Sequence, residues 1–234
     1  MKKICVTGAN GFVGESICRS LTKLGVSVRG TVRSLNSTSK IANYECVPVG
    51  DMSNNTDWSE AISGCGYIIH SAGIAHKINE LDEENSKTYQ IVNVDATRKL
   101  ANKAFAAGVK RLIFLSTIKV NGENTENTFQ TQYLNKKYFK AFNHNDVPAP
   151  KDDYAKSKLE AENVLLDISS RTGLGIVILR LPLVYGFGVK KNLRKLIDIT
   201  RLGIPLPFST IKNNRSLIGI DNLIDVIFKC IDHP

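Results

Sequence analysis

The sequence lacks any apolar run that approaches the roughly 20 residues needed to span a bilayer. Met1-Lys2-Lys3 imitates the basic start of a signal peptide, but the apolar run after it is only Ile4–Val6. These two absences exclude a membrane-spanning helix and a recognisable export signal. We therefore expect a cytoplasmic protein with no membrane insertion.

Cysteine is also scarce. The chain has five cysteines, which are isolated, odd in number and without C-x-x-C spacing. This pattern argues against a disulfide framework and against a zinc site. We expect reduced, buried thiols and no metal.

The positive charge of the chain comes without a long basic arm or a nucleic-acid-binding motif. Lys and Arg number 31 against 22 Asp and Glu, which gives a net charge of +9. The basic clusters at 134–140 and 189–195 are short. This balance suits small polyanions such as dinucleotides and nucleotide sugars, or simply a solvated basic face. We expect no nucleic-acid partner.

Short apolar strands alternate with helical patterns along most of the chain. Such alternation is typical of right-handed βαβ crossovers and of a parallel sheet covered on both faces. The sequence therefore predicts an α/β protein with a doubly wound, Rossmann-type parallel sheet. The predicted strands lie at 4–7, 26–32, 44–48, 67–71, 111–116 and 175–180, and the predicted helices at 11–24, 56–62, 86–107, 154–171 and 223–231.

Two regions interrupt this alternation. Residues 121–152 are polar and lack periodicity, which predicts a functional loop or an insertion. After residue 185, glycine and proline separate shorter elements. We interpret 1–185 as an NAD(P)-binding domain and 186–234 as a partial substrate-binding region of a smaller, truncated domain.

A glycine-rich stretch, TGANGFVG (7–14), follows the first predicted strand and begins the first helix. A P-loop is excluded, because Glu15-Ser16 follow Gly14 where a lysine and a hydroxyl residue are required. The spacing G-x-x-G-x-x-G also differs from the usual dinucleotide fingerprint. A helix N-terminus preceded by glycines favours the pyrophosphate of a dinucleotide, and a plain tight turn is the alternative.

The second strand ends in VSVRGTVRS (26–34) without the acidic residue that an NAD site usually carries there. Arg33 and Ser34 close the strand instead. A guanidinium suits a 2′-phosphate, so NADP(H) is favoured, while NAD(H) is possible. The alternative is a solvated surface arginine.

A tyrosine and a lysine lie four residues apart in DDYAKSK (152–158), at the start of a helix. A nearby ammonium lowers the pKa of a phenol, so we expect Lys158 to lower that of Tyr154. Tyr154 could then exchange a proton with an alcohol or ketone. The fifth strand ends in LSTIKVNG (115–122), where Ser116 or Thr117 could hydrogen-bond the reacting oxygen.

The combination of motifs resembles the extended short-chain dehydrogenases/reductases, which are NAD(P)-dependent nucleotide-sugar epimerases, dehydratases and ketoreductases. The resemblance covers essentially the whole chain. The motifs occur in the family's order: TGANGFVG, HSAG (70–73), LSTIKVNG, YAKSK (154–158) and LRLPLVYGFG (179–188). The family also implies a homodimer and a chain that continues beyond residue 234.

The resemblance implies a role for each matching residue. Thr117, Tyr154 and Lys158 would be catalytic, and Tyr154 and Lys158 would also contact the cofactor. Thr117, Asn192 and Arg215 would bind the nucleotide sugar. The other cofactor-binding positions would be Gly8, Gly11, Phe12, Val13, Gly14, Arg33, Ser34, Asp51, Met52, Ser71, Ala72, Gly73 and Pro182.

Two departures narrow the expected reaction. Ile118-Lys119 replace the Asp-Glu pair with which the dehydratases eliminate water, which argues against 4,6-dehydration. Asn121 replaces a tyrosine that is frequent in epimerases and reductases. The sequence looks most like UDP-N-acetylhexosamine 4-ketoreductases and 4-epimerase-like enzymes. We expect an NADP(H)-dependent 4-ketoreductase of a UDP-linked sugar, with a 4-epimerase, or a non-catalytic NAD(P)-sensing protein, as alternatives.

Overall fold

The computed structural model describes residues 2–35, 43–75, 83–125, 128–130, 137–139, 141–189, 191–203 and 215–233. Six strands form one parallel sheet in the order β3-β2-β1-β4-β5-β8. Its strands are β1 Lys3–Thr7, β2 Val28–Val32, β3 Glu45–Pro48, β4 Cys65–His70, β5 Arg111–Thr117 and β8 Gly175–Leu181. This order confirms the predicted doubly wound, Rossmann-type fold.

Helices connect these strands, and two small sheets lie outside the main one. The helices are α1 Phe12–Lys23, α2 Ser59–Ile62, α3 Glu83–Tyr89, α4 Ala96–Ala106, α5 Asp153–Thr172, α6 Lys191–Arg201 and α7 Ile220–Asp232, with a π-helix at Gln90–Asp95 and a 3₁₀ turn at Ile118–Val120. The small sheets pair β6 Thr128–Gln130 with β7 Lys137–Phe139 and β9 Leu183–Tyr185 with β10 Leu217–Gly219. Within the described residues, no helix is long and apolar enough to cross a membrane.

The main sheet has a hydrophobic core on each face, as the alternation of side chains along β5 shows. Leu112 and Phe114 lie in one core, with Trp58 and Leu165. Ile113 and Leu115 lie in the other, which also contains residues of α1 and α7. Because successive side chains of a strand point to opposite faces, this strand is apolar from Leu112 to Leu115.

Two regions add detail to the sequence predictions. The segment predicted as irregular at 121–152 contains the antiparallel pair β6–β7. The division at residue 185 stays a prediction, although α7, which follows it, packs on α1 and β5 in the main core. The last described helix therefore completes one face of the Rossmann sheet.

Candidate active site

The glycine loop turns sharply between β1 and α1. Gly8 has a φ of 70°, a conformation that favours glycine. A Cβ on Gly14 would lie 2.2 Å from the carbonyl oxygen of Gly8, and one on Gly8 would lie 3.0 Å from Cα of Ala72. Gly11 is the N-cap residue of α1, and no described side chain caps the helix. The first turn can therefore present N–H groups to an anion, which fits the pyrophosphate of a dinucleotide. Phe12 and Val13, the first two residues of α1, are half-buried.

The end of β4 lies directly beside this loop. Ser71 donates a hydrogen bond to the carbonyl oxygen of Thr7 at 2.6 Å, and the backbone N–H of Ala72 donates to Thr7 Oγ1 at 3.1 Å. β1 and β4 are neighbouring strands whose connections leave the sheet in opposite directions. Ligands of doubly wound folds bind at such a point, so 71–73 lie where a cofactor would pass.

The predicted adenosine-binding residues lie at the exposed ends of β2 and β3. Arg33 Nε lies 2.8 Å from Asp51 Oδ1, and the two side chains are 73% and 84% exposed. Ser34 is also exposed, whereas Met52 is half-buried against the core. The structure brings Arg33 and Asp51 together, and their contacts with a cofactor remain predictions.

The catalytic candidates Thr117 and Tyr154 meet at the carboxyl end of β5. The Thr117 hydroxyl is close enough to the phenol of Tyr154 to lower the pKa of that phenol. Asp152 caps α5 by accepting a hydrogen bond from the backbone N–H of Ala155 at 2.6 Å, which fixes the turn that carries Tyr154. A hydroxyl and a phenol are thus placed where one substrate oxygen could contact both.

The expectation that Lys158 lowers the pKa of Tyr154 is wrong for this structure. Burial and the carboxylate of Asp152 raise the pKa of Tyr154 to about 12, and the charge that opposes them is that of Lys119. Lys158 Nζ instead donates to the carbonyl oxygen of Leu115 at 2.9 Å and lies 4.4 Å from the ring centroid of Phe114. The four-residue spacing of Tyr154 and Lys158 did not determine the direction of the Lys158 ammonium.

Lys158 is nevertheless close to the predicted cofactor path. A Cβ on Gly73 would lie 3.5 Å from its Nζ. Burial lowers the pKa of Lys158 to about 8, against the opposing effect of Glu162. A group with this pKa is a mixture of charged and neutral forms near neutral pH, so a nearby anion or hydroxyl could shift it.

A π-helix places Asn93 in the site, which sequence reasoning missed. Its side chain accepts from the backbone N–H of Ile74 at 2.9 Å and donates to the carbonyl oxygen of Ile74 and to Ser157 Oγ. A π-helical turn therefore interrupts the helix that was predicted over 86–107. Such turns often occur at functional sites. Asn93 therefore connects Ile74, which follows β4, to Ser157 on α5.

A buried histidine connects the glycine loop to this π-helix, and it too was missed. Thr97 Oγ1 donates to the carbonyl oxygen of Asn93, so it accepts from His70 Nε2, at 2.9 Å. His70 Nδ1 then accepts from Thr7 Oγ1 at 2.7 Å. Burial and the charge of Lys158 lower the pKa of His70 to about 3. The ring is neutral and fixed in one tautomer.

An ion pair with a buried carboxylate lies beside the end of β5. Arg180 on β8 lies 2.7 Å from Glu162 on α5, and Glu162 also accepts from Ser116 Oγ at 2.5 Å. Arg180 also donates to Asn121 Oδ1, whose amide donates to the carbonyl oxygen of Asn143. Ser116 thus has a structural partner, which leaves Thr117 as the hydroxyl facing Tyr154. Asn121 and Ser116 are the two members of this network to which the sequence motifs pointed.

The remaining predicted contacts are less defined. Pro182 is half-buried between β8 and β9. Arg215 is exposed just before β10. Asn192 lies in α6, and its side chain is outside the described residues. Their proposed contacts with cofactor or substrate remain predictions.

Comparison with a family model and with individual proteins shows which known proteins this chain resembles. The model of the NAD dependent epimerase/dehydratase family matches residues 4–234. A UDP-glucose 4-epimerase of Vibrio cholerae is 39% identical over 237 residues, covering 100% of this chain and 67% of the relative. A sterol-4-alpha-carboxylate 3-dehydrogenase of Dictyostelium discoideum is 30% identical over 197 residues, covering 80% of this chain and 54% of that one.

Solved structures share the fold. A UDP-glucuronic acid 4-epimerase from Bacillus cereus, in complex with NAD, has a TM-score of 0.80 at 22% identity, covering 98% of this chain and 74% of that chain. A UDP-N-acetylglucosamine 4-epimerase from Bacillus cereus has a TM-score of 0.72 at 19% identity, covering 100% and 74%. At these identities the likeness establishes the fold alone.

Proposed function

The chain belongs to the NAD dependent epimerase/dehydratase family, within the extended short-chain dehydrogenases/reductases, and we propose that it catalyses hydride transfer at C4 of a UDP-linked sugar. The observation that carries this proposal is the pairing of Thr117 with Tyr154, in which the Thr117 hydroxyl lowers the pKa of the phenol. It lies at the carboxyl end of β5, on the same edge of the sheet as the glycine loop. This is the edge at which such folds bind their ligands.

Each catalytic residue has a defined task in this proposal. Thr117 hydrogen-bonds the oxygen on C4 and holds it beside Tyr154. Tyr154 removes the proton of the C4 hydroxyl and later returns it. Lys158 orients the cofactor ribose from its position near Gly73. When bound, NAD(P) supplies the chemistry of accepting a hydride from C4 and giving it back.

The two ends of the site would share the binding of cofactor and substrate. The first turn of α1 would bind the pyrophosphate of NAD(P). Residues 186–234, with Asn192 and Arg215, would contact the UDP-sugar. A homodimer remains part of the proposal, and light scattering of the purified chain would test it.

We place 4-epimerisation first, because the Vibrio cholerae relative carries that name and matches the whole chain. In an epimerase, C4 is oxidised and then reduced from its other face, so no cofactor is consumed. The phenolate of Tyr154 would accept the proton of the C4 hydroxyl, and the resulting phenol would return it. This cycle would use Thr117, Tyr154 and Lys158 in the tasks given above.

One observation favours a 4-ketoreductase as the second candidate. Arg33 stands where an acidic residue would discriminate in favour of NAD, and its guanidinium is exposed. A 2′-phosphate could exchange with Asp51 as the partner of Arg33, which would favour NADPH. A reductase would then consume NADPH in proportion to the keto sugar that it reduces.

The experiment incubates the purified chain with UDP-glucose or UDP-N-acetylglucosamine and NAD⁺, and follows the anomeric protons by NMR. We expect the C4 epimer to form without a net change in absorbance at 340 nm, and we expect Tyr154→Phe to form none. NADPH oxidation with a UDP-4-keto sugar would establish the reductase instead. Cofactor binding with neither reaction would contradict the proposal and favour a non-catalytic sensor.

A further inference from the structure

Lys119 follows β5 on the 3₁₀ turn and lies between two carboxylates. Its Nζ is 2.6 Å from Asp152 Oδ2 and 3.1 Å from Glu123 Oε1. Its backbone N–H donates to Thr117 Oγ1 at 3.4 Å. The residue is therefore tied at one end to the proposed catalytic hydroxyl and at the other end to the segment before α5.

Asp152 uses its two oxygens for different purposes. Oδ1 caps α5 by accepting from the backbone N–H of Ala155, and Oδ2 pairs with Lys119. Tyr154 lies two residues further along the chain, in the first turn of the capped helix. The ion pair therefore joins the turn that carries Thr117 to the turn that carries Tyr154. A backbone hydrogen bond from Ala149 to Val120 at 3.0 Å supports the same junction.

We propose that Lys119 and Asp152 are positioning residues that hold Tyr154 against Thr117 and act on its phenol with opposite charges. The inference rests on the proposed function, in which Tyr154 exchanges the proton of the C4 hydroxyl. It gives a task to the lysine that stands where the dehydratases have an acid. It also explains why the Lys119–Asp152 pair joins the turn that carries Thr117 to the turn that carries Tyr154.

The groups around Tyr154 support opposite effects of Asp152 and Lys119 on its phenol. Asp152 raises the pKa of the phenol and Lys119 lowers it. From α3, the ring of Tyr89 lies 6.1 Å away, centroid to centroid, and also raises that pKa. Glu123 acts on Lys119, whose pKa is raised by both of its carboxylate partners. Lys158, on the helix of Tyr154, directs its ammonium to Leu115.

The test uses two variants that remove one charge each. Asp152→Asn keeps an oxygen that can cap α5 while it removes the negative charge. Lys119→Met removes the positive charge, and Lys119→Arg restores it. The matched control is the neighbouring pair Lys156–Asp153, which is 3.2 Å apart and exposed on the same helix turn. Lys156→Met and Asp153→Asn remove the same charges outside the proposed junction.

The first readout is the ionisation of Tyr154, followed through its ¹³Cζ resonance and assigned with Tyr154→Phe. We expect the titration to move by about one pH unit to lower pH in Asp152→Asn and to higher pH in Lys119→Met. Lys119→Arg should resemble the wild type, as should the control variants. Shifts in the same direction, or shifts no larger than those of the controls, would overturn the proposal.

The second readout is the pH profile of kcat with the UDP-sugar. The limb on which kcat rises with pH, which reports the ionisation of Tyr154 as a general base, should move in the same opposite directions, with kcat changing more than KM. Because the NMR titration needs no substrate, it decides the inference separately from the proposed function. Opposite NMR shifts in a protein that turns over no UDP-sugar would support the electrostatic pair and contradict the proposed activity.

Discussion

Two arginine–carboxylate pairs at opposite ends of the site have nearly the same length and very different surroundings. Arg33 and Asp51, at the edge of the predicted cofactor site, are 2.8 Å apart and largely exposed. Arg180 and Glu162, beneath the end of β5, are 2.7 Å apart, with side chains only 22% and 2% exposed. The difference shows that distance alone does not indicate what a pair contributes, because solvent screens the first and scarcely reaches the second.

The two pairs therefore suit different tasks. An exposed pair contributes little to stability, so a ligand phosphate can replace one partner at small cost. A buried pair is costly to break, because the remaining charge loses its partner without gaining water. We infer that the Arg180–Glu162 pair fixes the catalytic end of the site, while the Arg33–Asp51 pair leaves the cofactor end adaptable.

The largest expected effect is that of Glu162→Ala. This change leaves Arg180 without its carboxylate and Ser116 without its acceptor, so we expect the free energy of unfolding to fall by about 3–5 kcal/mol. Asp51→Ala is the matched control at the exposed pair, and it should change the same quantity by less than about 1 kcal/mol. Urea denaturation measures both. Equal losses would mean that the two pairs do not differ as described.

A smaller effect concerns the pH dependence that the buried end imposes. The folded-state pKa of His70 is lowered to about 3, below the ordinary value of about 6.5. The stability associated with neutral His70 is therefore present above about pH 6.5 and is lost as the pH falls towards 3, because the unfolded chain binds the proton first. We expect this single group to remove about 2 kcal/mol between about pH 7 and pH 5.

The measurement compares urea denaturation of the wild type and His70→Gln at those two pH values. The glutamine has no proton to bind, so its loss of stability should be smaller by that amount. Asp51→Asn, at the exposed Arg33–Asp51 pair, is the control. Its free energy of unfolding should change with pH as that of the wild type does. If His70→Gln loses as much stability as the wild type, the histidine is not the buried neutral group described above.

The smallest effect on stability is expected from Arg33→Ala, below about 1 kcal/mol. Its effect should be on cofactor binding, with the Kd for NADPH rising about tenfold and that for NADH changing little. Arg171→Ala is the control, because Arg171 forms a similar exposed pair with Asp167 at the far end of α5. Isothermal titration calorimetry gives both constants. Equal affinity for NADPH and NADH in the wild type and in the variant would remove the argument for a 2′-phosphate site.

The same contrast explains what could be predicted from the sequence. The glycine loop was recognisable because its chemistry is local: Gly8, Gly11 and Gly14 are close in the chain and serve one turn. The start of α5 was recognisable for the same reason. His70 and Glu162 were not, because their partners lie 27 to 63 and 18 to 46 residues away in the chain. Only the folded sheet brings those groups together.

The Tyr154–Lys158 pair shows the limit of spacing as evidence. Residues four apart share a helix face, so an ammonium beside a phenol was a reasonable expectation. The carbonyl oxygen of Leu115 and the ring of Phe114 hold the lysine elsewhere. The direction of a long side chain depends on the groups that contact it in the fold. A sequence pattern does not give those contacts.

The most direct test of hydride transfer at C4 uses UDP-glucose that carries deuterium at that carbon, with the purified chain and NAD⁺. We expect UDP-galactose with the deuterium still at C4, no net formation of NADH, and no product from Tyr154→Phe. Loss of the deuterium to water would contradict it, since the C4 hydrogen would then leave as a proton. Inversion at an unchanged rate by Tyr154→Phe would contradict the role given to that phenol.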